Sequence, residues 1–491
     1  MYWLGIDVGT GGTRALLVDE KGRVQHAFTA HHEEMRMERP LWAEQRPENW
    51  WDATQSAIRG VLVAGGASGK DVRGVGLSGQ MHGLVMLDES DRVIRPALIW
   101  CDQRSQAQVD SINVSVGKAT VLSCIANPVL TGFTLPKLLW VRDNEPKAFT
   151  RVRTVLLPKD YVGFKLTGDY VSDVSDASGT ALFDVVRRRW SNELVERLGL
   201  DVGILPRVME SHEVRGTVSR AAAASTGLAE GTPVVAGAGD QAASAVGNGI
   251  VEPGRVSCTI GTSGVVFAHT ASPAYDPAGR VHTFCHAVKG EWHVMGVTQG
   301  AGLSLQWFRK NLAPGVEYDA LTAEASKARA GSQGLYWLPY LMGERTPHLD
   351  AFVRGGWIGL TAKHTRAEMI RSLLEGVAYS QKDCLDIIEG MGVTADSIRL
   401  SGGGARSKFW RQMFADVFGK RVATLETEEG SAYGAALLSM VGTGRYVSVR
   451  DLCKAVIHET ASLEPRADDS DIYARGHKIY QALYPALKVI Q

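Results

Sequence analysis

Short apolar segments broken by glycine-rich turns mark both halves of the chain. Residues 3–8 form an apolar stretch that enters the turn 9–13 and continues as a second apolar stretch at 15–18. The same order recurs at 256–267 around Gly261-Thr262-Ser263-Gly264. Glycines let a ligand approach the backbone N–H groups, and the threonine hydroxyl adds a further polar group. This repetition predicts a duplicated α/β fold that holds the phosphates of a nucleotide from both sides.

Other segments show the spacing of either helices or strands. Thr365 and Glu368 have the spacing of a capping box at the start of a long helix. Residues 125–170, which are rich in proline, lysine and aromatic side chains, are predicted to be an insertion between core elements. The remaining predicted elements are a hairpin over the first 25 residues with its turn at 19–22, helices at 47–63, 408–418 and 479–489, and strands at 72–77, 84–87, 234–237 and 398–400.

The length of the chain points to more than one hydrophobic core. With 491 residues, two domains of about 250 residues each are the natural expectation. The chain turns at 231–233, and the short apolar strand that follows ends in glycine. We therefore expect one domain over residues 1–245 and a second over 246–491.

The composition is that of an ordinary globular protein, with 45% hydrophobic and 22% charged residues. Lysine plus arginine and aspartate plus glutamate both total 53, so charge gives no reason to expect nucleic acid or a membrane as partner. The start of the chain lacks the basic region of a signal peptide, and the six cysteines are scattered. These features predict a soluble, cytoplasmic protein, and they leave open whether it is a monomer or a homodimer.

Asp240 and Asp7 are the candidate catalytic residues. Asp240 follows a glycine-ended buried strand, where a carboxylate could accept a proton from a hydroxyl that attacks phosphorus. The alternative is an N-cap aspartate at the start of a helix. Asp7 interrupts an apolar strand, where an acid is costly unless it is paired. It could hold Mg²⁺ through water, or it could make a structural hydrogen bond to the turn.

Two further glycine-flanked turns are candidate binding segments. The glycines 402–404 lie between a predicted strand and a helix, where a purine or ribose could lie against flat backbone, although ordinary turns also use glycine. Met81 and His82 follow a buried strand and could bind a polyol, with Trp100 as an apolar wall. The alternative is a hydrogen-bonded loop histidine and a core tryptophan.

Three motifs are weaker than they look. The GxGxxG spacing at 74–79 lies inside a predicted strand, which argues against a dinucleotide-binding turn. Residues 65–70 lack the first glycine and the final Ser/Thr of a P-loop. His282, Cys285, His286 and His293 are metal-ligand types, but their spacing fits no known zinc pattern.

Together these segments resemble the FGGY carbohydrate kinases, in which the Asp7-x-Gly-Thr turn, a Gly-Asp240 pair, the 261–264 turn and a triple glycine recur in this order. Residues 132–140 and 356–375 are similar to the two diagnostic segments of the family. The resemblance extends from residue 1 to about residue 445. It implies two actin-like ATPase (ribonuclease H-like) domains with a nucleotide and sugar cleft between them.

The resemblance also implies ATP-dependent phosphorylation of the terminal hydroxyl of a sugar. Segments at 79–83, 157–161, 282–286 and 343–348 are most similar to the members that phosphorylate D-xylulose at O5. It implies ATP and Mg²⁺ as cofactors and D-xylulose as the sugar partner. The roles that it implies are general base for Asp240, an acid near Mg²⁺ for Asp7, sugar contacts for Met81 and His82, and nucleotide contacts for Thr10, Gly11, Gly12, Gly261, Thr262, Gly302, Gly403 and Gly404.

One position departs from the family pattern. Many xylulose-specific members have asparagine after the catalytic aspartate, whereas this chain has Gln241, as glycerol-specific members do. Glutamine reaches one methylene further, so Gln241 is a candidate substrate-binding residue. The Arg-Glu pair of glycerol-specific members is replaced by Met81 and His82. A ketopentose is therefore favoured, with another ketose or polyol, such as ribulose or a sugar alcohol, as the alternative.

Two other classes of protein are compatible with such a fold. A non-catalytic, sugar-responsive regulator would keep the nucleotide fold, but it would not need both Asp240 and Asp7. A heat-shock-type chaperone ATPase would carry a peptide-binding domain, which nothing in the sequence resembles.

Overall fold

The computed structural model describes residues 1–427 and 429–489. In the first half the strands are β1 (Tyr2–Val8), β2 (Gly12–Asp19), β3 (Val24–His31), β4 (Glu44–Gln45), β5 (Val72–Gly79), β6 (Val85–Leu87), β7 (Ala97–Leu98), β8 (Thr154–Leu156), β9 (Val171–Asp173), β10 (Phe183–Asp184), β11 (Arg189–Trp190), β12 (Arg207–Met209), β13 (Val214–Thr217), β14 (Pro233–Val235) and β15 (Ala238–Gly239). The α-helices are α1 (Pro47–Ala64), α2 (Gln106–Ile112), α3 (Lys118–Ile125), α4 (Thr134–Asn144), α5 (Pro146–Phe149), α6 (Pro158–Thr167), α7 (Val174–Ala177), α8 (Asn192–Arg197), α9 (Arg220–Thr226) and α10 (Asp240–Gly247).

The second half is built from longer strands and helices. Its strands are β16 (Gly254–Ile260), β17 (Gly264–Thr270), β18 (His282–Cys285), β19 (Trp292–Thr298), β20 (Tyr336–Leu338), β21 (Gly356–Ile358), β22 (Ala395–Ser401), β23 (Arg421–Leu425) and β24 (Glu459–Leu463). Its helices are α11 (Gly302–Leu312), α12 (Tyr318–Ala325), α13 (Arg366–Gly390), α14 (Lys408–Phe418), α15 (Gly430–Gly442), α16 (Val449–Val456) and α17 (Ala467–Leu487). Short helical turns lie at Asn113–Gly117, Ser178–Thr180, Val202–Ile204, Ser332–Gly334 and Gly403–Arg406.

The two large sheets share a core of six strands in the same order, which confirms the predicted duplication, and β18 extends only the second sheet. In the first sheet the order is β13-β14-β5-β1-β2-β3, with β15 also paired to β5. In the second the order is β18-β19-β17-β16-β22-β23-β24. Each sheet has an antiparallel meander whose first strand (β1 or β16) pairs in parallel with the next strand (β5 or β22). Each then continues to a further parallel strand and an antiparallel edge strand.

Helix α15 comes from the second half of the chain but packs on the sheet of the first half. A Cβ at Gly5 would lie 1.9 Å from the carbonyl oxygen of Ala432, and one at Gly76 would lie 1.8 Å from that of Ala435. The two glycines therefore allow helix and sheet to touch backbone to backbone. This contact also accounts for part of the GxGxxG spacing, which lies within β5 as predicted. The division at residue 245 remains a proposal. Helix α15 follows this division in the chain but packs on the sheet that precedes it.

Two predicted elements differ from the structure. The first 25 residues are not a simple hairpin, because the turn 9–11 joins β1 to β2 and the predicted turn at 19–22 leads on to a third strand, β3. The segment 125–170 is only partly an insertion. Its last helix, α6, buries Tyr161, Val162 and Leu166 in the same core as the first sheet, because these apolar side chains lie on one face.

Several local predictions are confirmed. The capping box is present, since Thr365 caps α13 and its backbone N–H donates to the Glu368 carboxylate at 2.9 Å. The predicted helices at 47–63 and 408–418 correspond to α1 and α14. The predicted helix at 479–489 is the end of the longer α17. Among the residues that the structure describes, none of the helices is long and apolar enough to cross a membrane.

Candidate active site

The strand register brings the two candidate catalytic aspartates to one edge of the first sheet. Asp7 of β1 is paired with Ser78 of β5, and Ser78 is paired with Ala238 of β15. Asp240 follows β15 directly as the first residue of α10. Because β1 and β15 run parallel to β5, their carboxyl ends meet at the same edge, where ligands bind in open α/β sheets. Asp7 and Asp240 therefore face the same cleft.

The surroundings of Asp240 suit a general base. Burial raises the pKa of its carboxyl group to about 7, and the nearby charge of Asp7 acts in the same direction. Gln241 hydrogen-bonds the same carboxylate through its backbone and side chain and partly offsets this rise. The N-cap of α10 is Gly239, so the alternative that Asp240 is the N-cap residue is wrong. A base with a pKa near 7 is well matched to proton transfer at neutral pH.

Asp7 has an oxygen atom to which no described residue donates a hydrogen bond. Its Oδ1 is buried and accepts no hydrogen bond among the described residues. Burial raises the pKa of the Asp7 carboxyl, whereas Ser431, Ser78 and the charge of Arg14 oppose this shift. A buried carboxylate oxygen of this kind fits a water molecule on a hydrated Mg²⁺ ion, since magnesium prefers oxygen ligands and keeps several of its waters. The role of Asp7 at Mg²⁺ stays a prediction.

We expect Asp7→Asn to change the pH dependence of the reaction. Loss of the neighbouring negative charge should lower the pKa of Asp240, so the fall in kcat/KM on acidification should move to lower pH. The rate itself should drop by about tenfold to a hundredfold, as for residues that hold a metal through an intermediate group. A pH series of kcat/KM for the wild-type protein and the variant measures both effects. An unchanged midpoint would mean that Asp7 does not influence the Asp240 charge.

The first glycine turn is held by polar contacts that link it to Trp100. The Thr10 hydroxyl donates to Gln80 Oε1 at 3.2 Å and accepts from the indole N–H of Trp100 at 2.9 Å. Gln45 Nε2 donates to the Thr10 carbonyl at 2.7 Å. Trp100 thus contacts the first glycine turn, and its place beside the sugar stays a prediction. Sequence reasoning missed Gln45, which carries no motif of its own, whereas Gln80 lies in the segment 79–83 that contributed to the family resemblance.

The second glycine turn meets two other predicted nucleotide segments. The N–H of Gly302, the first residue of α11, donates to the Gly261 carbonyl at 2.8 Å. The N–H groups of Ala301 and Leu303 donate to the Thr262 carbonyl at 3.0 and 3.1 Å. Gly404 packs on Ile260, just before the same turn. The structure therefore brings the 261–264, 302 and 402–404 segments together.

The predicted nucleotide-binding glycines divide into two groups. A Cβ at Gly11 or Gly403 would meet no atom within 4 Å, so protein packing does not require glycine at either position. A Cβ at Gly12 would lie 2.7 Å from the Ala30 carbonyl, and one at Gly302 would lie 2.5 Å from that of Gly261. Gly12 and Gly302 are thus explained by packing, whereas open space at Gly11 and Gly403 leaves room for a ligand. All four assignments stay predictions.

Gly403→Ala and Gly404→Ala form a matched pair that tests this distinction. Gly403→Ala should raise the KM for ATP by about tenfold, or roughly 1.4 kcal/mol of binding free energy, without changing thermal stability. Gly404→Ala should cost about 1–3 kcal/mol of folding stability, because its Cβ would lie 2.4 Å from Ile260 Cγ2. ATP titrations and thermal unfolding of both variants separate the two effects. An unchanged ATP KM for Gly403→Ala would remove Gly403 from the nucleotide site.

Met81 and His82 line the cleft beside Asp240. A Cβ at Gly239, the residue before Asp240, would lie 2.9 Å from Met81 Cγ. His82 Nδ1–H donates to the Gly179 carbonyl at 2.6 Å, and its ring stacks on Phe133 with centroids 4.8 Å apart. Burial lowers the pKa of His82 to about 3, so the ring is neutral at physiological pH. The pair offers an apolar contact and a neutral imidazole to a sugar.

A buried charge cluster that sequence reasoning missed supports the segment carrying Asp240. Lys159, Asp160, Asp173 and Asp176 are all fully buried. Lys159 Nζ forms an ion pair with Asp160 and lies 2.9 Å from Asp173 and 3.4 Å from Asp176. Asp173 also accepts from Ser175 Oγ at 2.6 Å, and that hydroxyl in turn accepts the backbone N–H of Gly239 at 3.1 Å. The cluster therefore fixes the backbone directly before Asp240.

The geometry of these segments agrees with the match to a known family. Residues 2–247 match the N-terminal domain of the FGGY family of carbohydrate kinases, and residues 256–443 match its C-terminal domain. The chain belongs to the FGGY family of carbohydrate kinases. It is therefore a carbohydrate kinase with the two-domain, actin-like ATPase fold, and membership of the FGGY family implies that it uses ATP.

Relatives within the FGGY family cover almost the whole chain. A xylulose kinase from Bacillus subtilis (strain 168) is 38% identical over 487 residues, which are 99% of this chain and 97% of the relative. A xylulose kinase from Escherichia coli (strain K12) is 38% identical over 488 residues, covering 99% of both. The solved structure of a xylulose kinase from Rhodospirillum rubrum superposes with a TM-score of 0.93 at 31% identity, covering 99% of both chains.

Proposed function

We propose that this carbohydrate kinase transfers the γ-phosphoryl group of ATP to O5 of D-xylulose, giving D-xylulose 5-phosphate and ADP. The observation that carries the proposal is the 38% identity, over 99% of the chain, to relatives named xylulose kinase. The site supports the chemistry, because a carboxylate with a pKa near 7 lies at the cleft edge of the first sheet.

Asp240 is the proposed general base. Its carboxylate accepts the proton of the O5 hydroxyl while O5 bonds to the γ-phosphorus and the bond to the bridging oxygen of ADP breaks. In phosphoryl transfer most of the rate comes from positioning and from stabilising charge, so the fixed orientation of Asp240 is important. The Gln241 hydrogen bond and the Lys159 cluster behind Gly239 supply that orientation.

Asp7 is the proposed holder of Mg²⁺ through water, and it takes part in no proton transfer. Mg²⁺ supplies neutralisation of phosphate charge when it is bound. The unpartnered Oδ1 atom of Asp7 is available to accept a hydrogen bond from a water ligand. Burial raises the pKa of the carboxyl group, and the neighbouring Ser431 and Ser78 act against this rise.

Both glycine turns contribute to the proposed nucleotide site. Thr10, Gly11 and Gly12 would contact the phosphates from the first domain, and Gly261 and Thr262 would do so from the second. Gly302, Gly403 and Gly404 adjoin the second turn, which supports a place for them around the nucleotide. Closure of the two domains on the substrates would exclude water that could otherwise accept the phosphoryl group.

The sugar preference rests on the residues around Asp240. Met81, His82, Trp100 and Gln241 are the proposed substrate contacts. Gln241 already hydrogen-bonds Asp240, so its longer side chain is compatible with the proposed base. This position is also the reason to keep a second candidate, a kinase for another ketose or polyol with the same mechanism.

The position of the new phosphate ester tests the proposal directly. D-xylulose and MgATP are incubated with the protein, and the sugar product is examined by two-dimensional ¹H–³¹P NMR. We expect the phosphorus to couple to the protons on C5. A phosphate on C1, or release of free phosphate without a sugar ester, would contradict the assignment of O5 to the Asp240 end of the site.

A further inference from the structure

Arg345 carries a guanidinium group that no described residue pairs. It is partly buried, and among the described residues its side chain makes no hydrogen bond and no ion pair. The nearby Arg280 differs, because its side chain forms a two-bond contact with Asp276 at 2.8 and 2.9 Å. Removing an arginine from water without a partner is costly, so a ligand that supplies acceptor oxygens would offset this cost.

Backbone hydrogen bonds place Arg345 at the sugar end of the cleft. The next residue, Thr346, donates through its N–H to the Val297 carbonyl at 3.0 Å and accepts from the Val297 N–H at 3.1 Å. Val297 lies two residues beyond Met295, which is paired with His282 at the start of β18. Arg345 therefore lies beside His282, and its positive charge lowers the pKa values of both His282 and His82.

Among the described residues, no carboxylate of the surrounding wall forms an ion pair with this guanidinium. Burial lowers the pKa values of His82 and His282 to about 3, so both rings are neutral. Phe133 lies between them, with ring centroids 4.8 Å from His82 and 5.6 Å from His282. The neighbouring Glu344 is the carboxyl group whose charge acts on Arg345, and its Oε1 accepts the backbone N–H groups of Gln299 and Arg345, each at 2.7 Å. Burial raises the pKa of Glu344 to about 8, so this group is largely protonated at neutral pH. A neutral, oxygen-rich sugar is the ligand class that suits this wall.

The order of residues along the cleft decides which end of the sugar reaches Arg345. Met81 contacts Gly239, the residue directly before Asp240, and His82 follows Met81 in the chain. Arg345 lies beyond His82, beside His282. With O5 at Asp240, the opposite end of an extended pentose therefore faces Arg345. In a 2-ketose that end is a hydroxymethyl ketone, whose two neighbouring oxygens match the fork of a guanidinium.

We propose that Arg345 binds O1 and O2 of the hydroxymethyl ketone end of the sugar and is a specificity-determining residue of this kinase. The proposal rests on the proposed function, because it places O5 of the same sugar at Asp240. It assigns a partner to the ketose end of the substrate. That partner, Arg345, comes from the second half of the chain.

A cycle of two enzymes and two sugars tests the proposal. Wild-type protein and Arg345→Gln are assayed with D-xylulose and with 1-deoxy-D-xylulose, which lacks O1, each as a substrate or as a competitive inhibitor. We expect Arg345→Gln to raise the KM for D-xylulose, or its Ki as an inhibitor, by about tenfold to a hundredfold. This is the range for hydrogen bonds to a charged group. The loss for 1-deoxy-D-xylulose should be at least about threefold smaller, and the KM for ATP should not change. Equal losses for both sugars, or no loss for either, would overturn the proposal.

Two further variants separate recognition from folding and charge. Arg345→Lys keeps the positive charge without the two-pronged guanidinium group, and it should restore the affinity for D-xylulose only in part. Arg280→Gln removes an arginine that is paired with Asp276, and it should leave the KM or Ki values of both sugars unchanged. If wild-type protein does not turn over D-xylulose, the proposed function fails. If wild-type protein is active but Arg345→Gln behaves like Arg280→Gln, only the role of Arg345 fails.

Discussion

Replacement of Asp240 by alanine or asparagine is expected to lower kcat by about a thousandfold, within the range for loss of a general base. The KM values for sugar and ATP should change much less, because the residue acts on the proton of the attacking hydroxyl. The same site sets the pH dependence of the wild-type protein. Since the base must be ionised and its pKa is about 7, kcat/KM should fall as the pH drops through this value.

Steady-state kinetics of the two variants and a wild-type pH series provide the measurements. Gln241→Asn is the matched control, because it shortens the neighbouring side chain and leaves the Asp240 carboxylate in place. It should retain most of kcat, and its loss of hydrogen bonding should shift the pH midpoint upward. Turnover of Asp240→Asn within tenfold of wild type would mean that another group accepts the proton.

Lys159→Met is expected to destabilise the protein by about 3–5 kcal/mol, the usual cost of breaking a buried ion pair from one side. The substitution leaves Asp160, Asp173 and Asp176 without their shared cation in a fully buried site. Because native proteins are stable by only about 5–15 kcal/mol, this loss should be obvious in urea unfolding at neutral pH. Lys165→Met on the same helix is the control, and it should cost less than about 1 kcal/mol.

The deficit of Lys159→Met should also depend on pH. Burial raises the pKa of Asp176 in the folded protein, so the stability linked to its proton is present at low pH and is lost as the pH rises. Without Lys159 the pKa of Asp176 should rise further, because the charge of this lysine opposes the effect of burial. The difference in stability from wild type should therefore grow between mildly acidic and neutral pH. A deficit that is small, or equal to that of Lys165→Met, would show that the cluster does not depend on its lysine.

Features carried by short stretches of sequence were predictable. The strand–turn–strand repetition at 3–18 and 256–267 predicted two related sheets, and the structure has them. The capping box of α13 depends on two residues three positions apart, so it too could be predicted. The position of Asp240 after a glycine-ended strand indicated a cleft, and the strand register then brought Asp7 to the same edge.

Contacts between distant segments could not be predicted in this way. The packing of α15 on β1 and β5 depends on single glycines, Gly5 and Gly76, whose meaning appears only when helix and sheet meet. The Lys159 cluster combines residues from three segments, none of which shows a charge pattern alone. Likewise, nothing local connects Arg345 with His82, although the segment 343–348 contributed to the family resemblance.

The most direct test of the central claim is a coupled assay of ADP release with MgATP and a panel of D-xylulose, D-ribulose, L-ribulose, xylitol, D-arabitol and glycerol. We expect the highest kcat/KM for D-xylulose, with Gln241 as a tolerated variation beside the catalytic base. A higher kcat/KM for any other sugar or polyol would contradict the claim, and would mean that Gln241 and its neighbours select a different substrate on the same kinase fold.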